Sequence, residues 1–393
     1  MKFLFGSDIC FHYISEFPGK EAAEQAMSPV AACFAQADFR MVNLETVLGI
    51  REEHSPIFKC GPNLISTGDF LSYLAPLNPS VLGLANNHTG DFGESGVYET
   101  LALLSREGYR FIGAGKDLAE AYRPFIAEKD GIRVGVIAVC ENEFGGAKRH
   151  KAGSAVYQLT MLQRTIDSLK TQGCKPVVYF HGGNEYNPFP SPGKKELYRH
   201  FVDMGASAVV AMHTHCPQGY EIYKNCPIVY SMGNFYFPHG TSGSSSLLPT
   251  WYYGYLAELD FREEGTALRV IPYTFAEEGI TLLEGDALDR FLRYLDSLSS
   301  VIQDDEKLEA YFDAWCVLRG RSGNPTITFQ ESMIQQQDRN VAVARNKFTC
   351  EAHNEVWRNY YVLCYEQRHE ESLGLIQEIQ RLQRFDPMDE NRA

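Results

Sequence analysis

The sequence predicts an α/β layered fold, with sheets covered by helices, on three observations. Short apolar runs of strand length alternate with amphipathic helical stripes through the first two-thirds of the 393 residues. Five short polar clusters each follow one of those runs. From about Gly285 onward the pattern is helical throughout.

The predicted strands are Lys2–Phe5, Phe39–Val42, Ser80–Leu84, Arg110–Ile112, Arg133–Val139, Pro176–Phe180, Ala206–Ala211 and Ile228–Tyr230. Three helical stripes lie between them: Val97, Leu101 and Leu104; Leu159, Leu162, Ile166 and Leu169; and Leu197, Phe201 and Met204. Gly240–Ser246 reads as a Gly/Ser loop. Tyr253–Phe261 and Ala267–Phe275 follow as two strands joined by a turn at Glu263-Glu264-Gly265 and are expected to complete the sheet. Leu288, Phe291, Leu292, Leu295, Leu298 and Ile302 then form a helical stripe, with further helices over Glu306–Leu318 and Glu351–Arg384. Gly320–Pro325 reads as a break, Gln335–Gln337 is the one low-complexity run, and the chain after Pro387 is expected to fray. The organisation expected is one large domain over residues 1–282 and a helical region over residues 283–393. The apolar stripes of that region need a partner, either the sandwich or a homodimer seam.

Hydrophobic residues make up 44% of the chain, enough for a core, which excludes wholesale disorder. The net charge of −14 repels phosphate backbones, so nucleic acid is not an expected partner, and an anionic substrate needs local cations. The ten cysteines contain no C-x-x-C pair and no framework spacing, which reads as reduced thiols and disfavours a zinc cluster built on cysteine. The opening apolar run, Phe3-Leu4-Phe5, is too short for a signal segment, and no stretch is apolar enough to span a bilayer. A cytoplasmic location is the expectation.

The strand-end clusters are Gly6-Ser7-Asp8, Asn43-Leu44-Glu45, Asn86-Asn87-His88, His181-Gly182-Gly183 and His213-Thr214-His215. Ligands of α/β folds gather at the carboxyl ends of strands. Carboxylate, carboxamide and imidazole are donors for divalent metals such as zinc, manganese or iron. Each cluster alone has a bland reading as a turn or helix cap. His213-Thr214-His215 says more, because alternate residues of an extended segment face one side and aim both imidazoles at one point. Five such clusters together are hard to explain by packing, since burying polar groups without partners is costly.

The motifs, in order, are Gly6-Ser7-Asp8-Ile9, Ala37-Asp38, Asn43-Leu44-Glu45-Thr46, Leu84-Ala85-Asn86-Asn87-His88 with Asp91 and Gly93, and Gly113-Ala114-Gly115. They continue with His181-Gly182-Gly183-Asn184-Glu185-Tyr186, Gly205-Ala206, His213-Thr214-His215 and Tyr230-Ser231-Met232-Gly233-Asn234-Phe235. From residue 1 to about 237 this series resembles the bacterial capsule-synthesis CapA family of poly-γ-glutamate biosynthesis, related in fold to the calcineurin-like metallophosphoesterases.

The resemblance implies a four-layered fold, a β-sandwich flanked by helices, with a C-terminal helical extension outside it. It also implies a metal-dependent hydrolase with two divalent ions, in which activated hydroxide attacks a phosphate ester, a phosphodiester or a γ-glutamyl amide. Glu45 would bridge the metals, Asp8 and His215 would complete one, and Asn87, His181 and His213 the other. His88 would stand above them as general acid or substrate contact, with Asp91 and Glu185 orienting imidazoles. The sequence departs from the phosphoesterase pattern at Cys10, where a histidine ligand is usual. Cys10 reads as a small buried residue, with ligation by its thiolate or by His12, or a weakly held metal, as the alternatives. A second departure is Gly182-Gly183, where the family more often has Trp-Gly; the missing ring is expected to widen the mouth of the site. Lys194 and Lys195 read as a solvated helix start, or as contacts for an anionic substrate. The expected partner is a small anionic substrate or poly-γ-glutamate. The rival reading is a non-catalytic capsule synthesis or export subunit with a vestigial or substrate-holding site. CapA-like proteins usually carry an N-terminal membrane anchor, whereas this sequence opens in its first strand, which favours a freestanding enzyme.

Overall fold

The computed structural model describes residues 1–239, 248–322 and 338–390. The Gly240–Ser246 loop, the end of the Gly320–Pro325 break, the Gln335–Gln337 run and the last three residues of the tail lie outside them. Two large sheets organise the chain. In the eight-stranded sheet the order is Gly279–Leu282, Gly265–Ala276, Tyr253–Arg262, Lys2–Ile9, Phe39–Leu44, Val81–Gly83 and Phe111–Ile112, and Asn234–Tyr236 pairs with the far end of Lys2–Ile9. The six-stranded sheet runs Tyr220–Tyr223, Cys226–Val229, Ala208–Met212, Lys175–His181, Ile132–Cys140 and Phe125–Lys129.

Alternation along the strands explains the layering. Phe3 and Phe5 face the second sheet, where the Phe5 ring meets Tyr179 at 5.9 Å and Phe3 meets Phe125 at 6.4 Å. Leu4 faces the other way, into a second core shared with Met27, Val30 and Phe34 of the helix Lys20–Gln36. In the six-stranded sheet Tyr179 points inward and Phe180 outward, onto Tyr198 and Phe201 of the helix Pro192–Met204. Helix, sheet, sheet and helix therefore stack as the four layers expected. The Tyr179 hydroxyl donates across the sandwich to the Gly6 carbonyl at 2.7 Å. A Cβ at Gly83 would lie 2.8 Å from the Tyr179 ring, so a glycine there lets the sheets close.

The predicted strands are all present, most of them a residue or two longer or shorter. The edge strands Phe125–Lys129 and Tyr220–Tyr223 were not predicted; each is short and half exposed, with little apolar signal. The helix Lys20–Gln36 was not predicted either, because Pro29 sits inside it and interrupts the pattern. The long C-terminal helix expected to Arg384 is two, Glu351–Tyr365 and Leu373–Gln383.

The C-terminal stripe is buried on the sandwich. In the helix Gly285–Gln303, Phe291, Leu295, Leu298 and Ile302 are buried, and the Ser299 hydroxyl accepts from the Tyr220 amide at 3.0 Å. The later helices build a small core of their own around Trp315, Val317, Val356, Leu363 and Ile379. Among the described residues no helix is long and apolar enough to cross a membrane.

Replacing Tyr179 by Phe should leave the buried Gly6 carbonyl unpaired and cost about 1–3 kcal/mol. A urea unfolding midpoint shifted down at constant slope is the expected result.

Candidate metal centre

Three parallel strands of each sheet end at one edge of the sandwich, and register brings their last residues side by side. Asp8 pairs with Asn43, Asn43 with Gly83, and His181 lies between Cys140 and Met212. The loops that follow carry Glu45, Asn87, His88, His213 and His215. Asp8, Glu45, Asn87, His88, His181, His213 and His215 are all buried.

Glu45 stands at the centre. Its carboxylate is fully buried, and neither oxygen has a hydrogen-bond partner. His181 Nε2 lies 3.5 Å from Glu45 Oε1, and His88 Nε2 lies 3.9 Å from it. Donor atoms of Glu45, His181 and His213 lie within 4.8 Å of one another, and so do those of Glu45, Asp8 and His215. Glu45 is common to both sets. Asn87 joins the first through its Oδ1, 3.1 Å from His181 Nε2. Burial pushes the Glu45 carboxyl well above the usual range, and the charges of Asp8 and Glu185 push it the same way. Leaving a buried carboxylate without donors is costly, and a divalent cation is the partner that satisfies it. Oxygen and imidazole donors fit manganese, iron or zinc, so the residues present fit the ions implied.

Neighbouring side chains hold these donors in place. Asn43 Nδ2 donates to Asp8 Oδ1 at 2.7 Å, and the His213 amide donates to Asp8 Oδ2 at 3.1 Å. Asn234 Oδ1 lies 2.8 Å from His215 Nδ1 while its own amide donates to the Trp251 carbonyl, which aims the other imidazole nitrogen of His215 at the site. The Trp251 ring lies against His215, 4.5 Å between centroids. Burial and the nearby imidazoles of His181 and His215 hold His213 well below the usual histidine range, in the neutral form a metal requires.

The two imidazoles of His213-Thr214-His215 converge by a different route from the one expected. The strand ends at Met212, and both histidines have left-handed backbone, with φ of 101° and 55°. Alternation along an extended segment therefore does not apply. Tight turning brings the two rings to 5.9 Å, one in each Glu45-centred set and both grouped with Glu185. Such backbone costs of order 1–3 kcal/mol per residue and persists where the surroundings impose it.

His88 Nδ1 lies 2.7 Å from Asp91 Oδ2 and 3.2 Å from Lys59 Nζ. Lys59 also pairs with Asp91. Burial and then Lys59 push His88 down to about 4, against the pull of Asp91. Burial opposes charge on Asp91 too, but His88 and Lys59 outweigh it and hold that carboxyl low. Glu185 stands at the rim, its carboxylate within 4.8 Å of donor atoms of His213 and His215.

Cys10 is buried in the apolar core behind the sheet and belongs to neither donor set; burial pushes its thiol well up. His12 Nδ1 is engaged with the Ile65 backbone at 3.0 Å. Lys194 and Lys195 are neither a solvated helix start nor free contacts for substrate. Both are buried, Lys194 pairing with Glu141 and Lys195 with Asp305. At Gly182, Glu141 packs where a larger side chain would go; a Cβ there would lie 2.6 Å from Glu141 Cγ.

Lys59, Glu141 and Glu143 were not singled out from the sequence. Glu143 Oε1 lies 3.5 Å from His213 Nε2. A signal existed for the glutamates, since Glu141-Asn142-Glu143 follows the strand Ile132–Cys140 as the other clusters follow theirs. Lys59 lies in a loop with no such signal.

A family model described as bacterial capsule synthesis protein PGA_cap matches residues 3–239. The capsule biosynthesis protein CapA of Bacillus anthracis is 30% identical over 218 residues, covering 54% of this chain and 51% of that protein. The PGA biosynthesis protein CapA of Bacillus subtilis is 26% identical over 231 residues, covering 58% and 60%. The chain thus spans little more than half the length of these relatives. Among solved structures, a novel phosphatase from Mycoplasma pneumoniae overlaps 70% of this chain and 93% of its own, with 13% identity and a TM-score of 0.43, too distant to carry an argument. The matched span covers more than half of the 393 residues and contains every strand-end cluster described above, and the chain belongs to the bacterial capsule synthesis protein PGA_cap family.

Proposed function

We propose that this protein is a metal-dependent hydrolase acting on a phosphate ester or phosphodiester, with a γ-glutamyl amide as the other electrophile its site suits. The observation that carries this reading is the Glu45 carboxylate, buried, without hydrogen-bond donors and common to two donor sets. Asp8, Glu45 and His215 would hold one divalent cation; Glu45, Asn87, His181 and His213 would hold the other. When bound, such cations lower the pKa of water and offset charge on the oxygens of the reacting group.

The chain's own residues supply orientation and proton handling. Asn43 and the His213 amide fix Asp8, and Asn234 fixes His215. Asp91 and Lys59 fix His88 in one orientation, with its Nε2 toward Glu45. With its pKa pushed to about 4, His88 is neutral at pH 7. Its role is then a hydrogen-bond contact to substrate or a proton acceptor, rather than a preformed acid.

The second reading, a non-catalytic subunit that holds a capsule polymer, is favoured by the names of the relatives, which refer to capsule and PGA biosynthesis.

Chromogenic phosphomonoesters and phosphodiesters, assayed with added manganese or zinc, separate the two. Turnover abolished by a chelator and by His213→Ala supports the hydrolase. Tight binding of polyglutamate with no turnover of any ester or γ-glutamyl amide overturns it in favour of the subunit. His88→Gln is expected to lower kcat/KM by at least about 10²-fold with metal content unchanged. Glu45→Gln should raise the melting temperature of chelator-treated protein, because it removes a buried carboxylate without donors, and should abolish the rise in melting temperature that added metal gives the parent chain.

A further inference from the structure

The loop leaving the strand Ile132–Cys140 carries two buried glutamates with different surroundings. Glu141 is neutralised by Lys194. Glu143 faces Cys350, whose Sγ is 4.0 Å from Glu143 Oε1 and 3.8 Å from Glu141 Oε2. Cys350 is fully buried at the junction of the helices Arg339–Thr349 and Glu351–Tyr365, and its extended backbone (φ −81°, ψ 127°) separates the two. His353 follows three residues later, in the first turn of the second helix. That spacing places Cys350 and His353 on one side of the turn. One donor atom each of Glu143, Cys350 and His353 lies within 4.8 Å of the others.

We propose that Glu143, Cys350 and His353 form a further cation site that takes a borderline divalent ion such as zinc; it shares no donor with the Glu45-centred sets, although Glu143 Oε1 lies 3.5 Å from His213 Nε2. Carboxylate, thiolate and imidazole are all zinc ligands, and the thiolate is what selects zinc over harder ions. Binding replaces the Cys350 S–H bond by a sulfur–metal bond and releases the proton to solvent. Three protein donors leave one position of a tetrahedral ion open, as in zinc sites that exchange a ligand. His353 also lines a cavity of about 500 Å³ with Asn184, Glu185, Lys347 and Trp357, so the open position has somewhere for a ligand to come from.

Two of the three donors lie beyond residue 239, outside the span shared with the family. The site would therefore be a property of this chain and its C-terminal helices. It would also tie those helices to the sandwich, beside the contacts already there: Asn184 to the Ala352 carbonyl, Ser191 to Glu355, and the Asn142 amide to Glu351. The bland alternative is a buried thiol that leans weakly on two carboxylates.

Zinc K-edge X-ray absorption on the full chain, loaded with excess zinc sulfate and desalted, decides between them. The expected result is a sulfur scatterer at about 2.3 Å. It should vanish in Cys350→Ser, with the fold checked by circular dichroism, and persist in Cys60→Ser, the other thiol lining the cavity. It should also persist in His181→Ala, which removes a donor of the Glu45-centred set. Loss of zinc in His181→Ala with the sulfur shell intact keeps the two sites separate; an intact zinc count there would count against the proposed function alone. A parent protein that retains no zinc, or only nitrogen and oxygen neighbours, overturns the inference. So does a sulfur shell that survives in Cys350→Ser.

Discussion

Burying the Glu45 carboxylate with neither oxygen hydrogen-bonded costs free energy that the rest of the fold has to offset. The sandwich does this by rigidity. Two sheets are locked face to face through aromatic packing and the Tyr179–Gly6 hydrogen bond, and their parallel strands end along one edge. Asp8 is brought within 3.3 Å of His181 although 173 residues separate them in the chain. Asp8 and His215 are each held by a side chain that is not itself a donor, while Asn87, His181 and His213 lean on one another. Asn43 and Asn234 are the two holding side chains, and Asn86 braces the backbone before Glu45 by donating to the Leu44 carbonyl; all three stand at strand ends or in the loops beside them. A site built this way is organised before anything binds, so little binding energy goes into ordering it.

Much of this was legible in the sequence because the physics is local. Strand-length apolar runs followed at once by Asp, Glu, Asn or His need only short-range pattern to detect, and the α/β alternation gives their common edge. What escaped depends on long-range contact or on backbone shape. The left-handed turns at His213 and His215 leave no trace in periodicity. Lys194 and Lys195 look like solvated charges until Glu141 and Asp305 arrive from 53 positions earlier and 110 later. Lys59 sits in a loop whose residues reveal nothing until Asp91 and His88 fold over it.

The C-terminal helices change what the site can see. Their first member buries its apolar stripe on the second sheet, as a core helix does. The later ones meet the mouth of the site largely through polar groups, Arg345 on the Glu143 carbonyl and Glu355 on Ser191 among them. They also supply Lys347, Trp315 and Trp357 to the walls of the cavity beside Glu185. Apolar burial fixes the position of this region, and its polar side chains determine the chemistry at the entrance.

Trp251 has a use that its packing role does not suggest. Its indole lies 4.5 Å from the His215 ring and donates to the Phe237 carbonyl, so it is held still beside one of the donors. The chain has only three tryptophans, and the other two are in the helical region. Indole emission responds to charge placed close to the ring. The protein therefore has a built-in fluorophore at the centre, and titrations can be followed by its glow without attaching a dye.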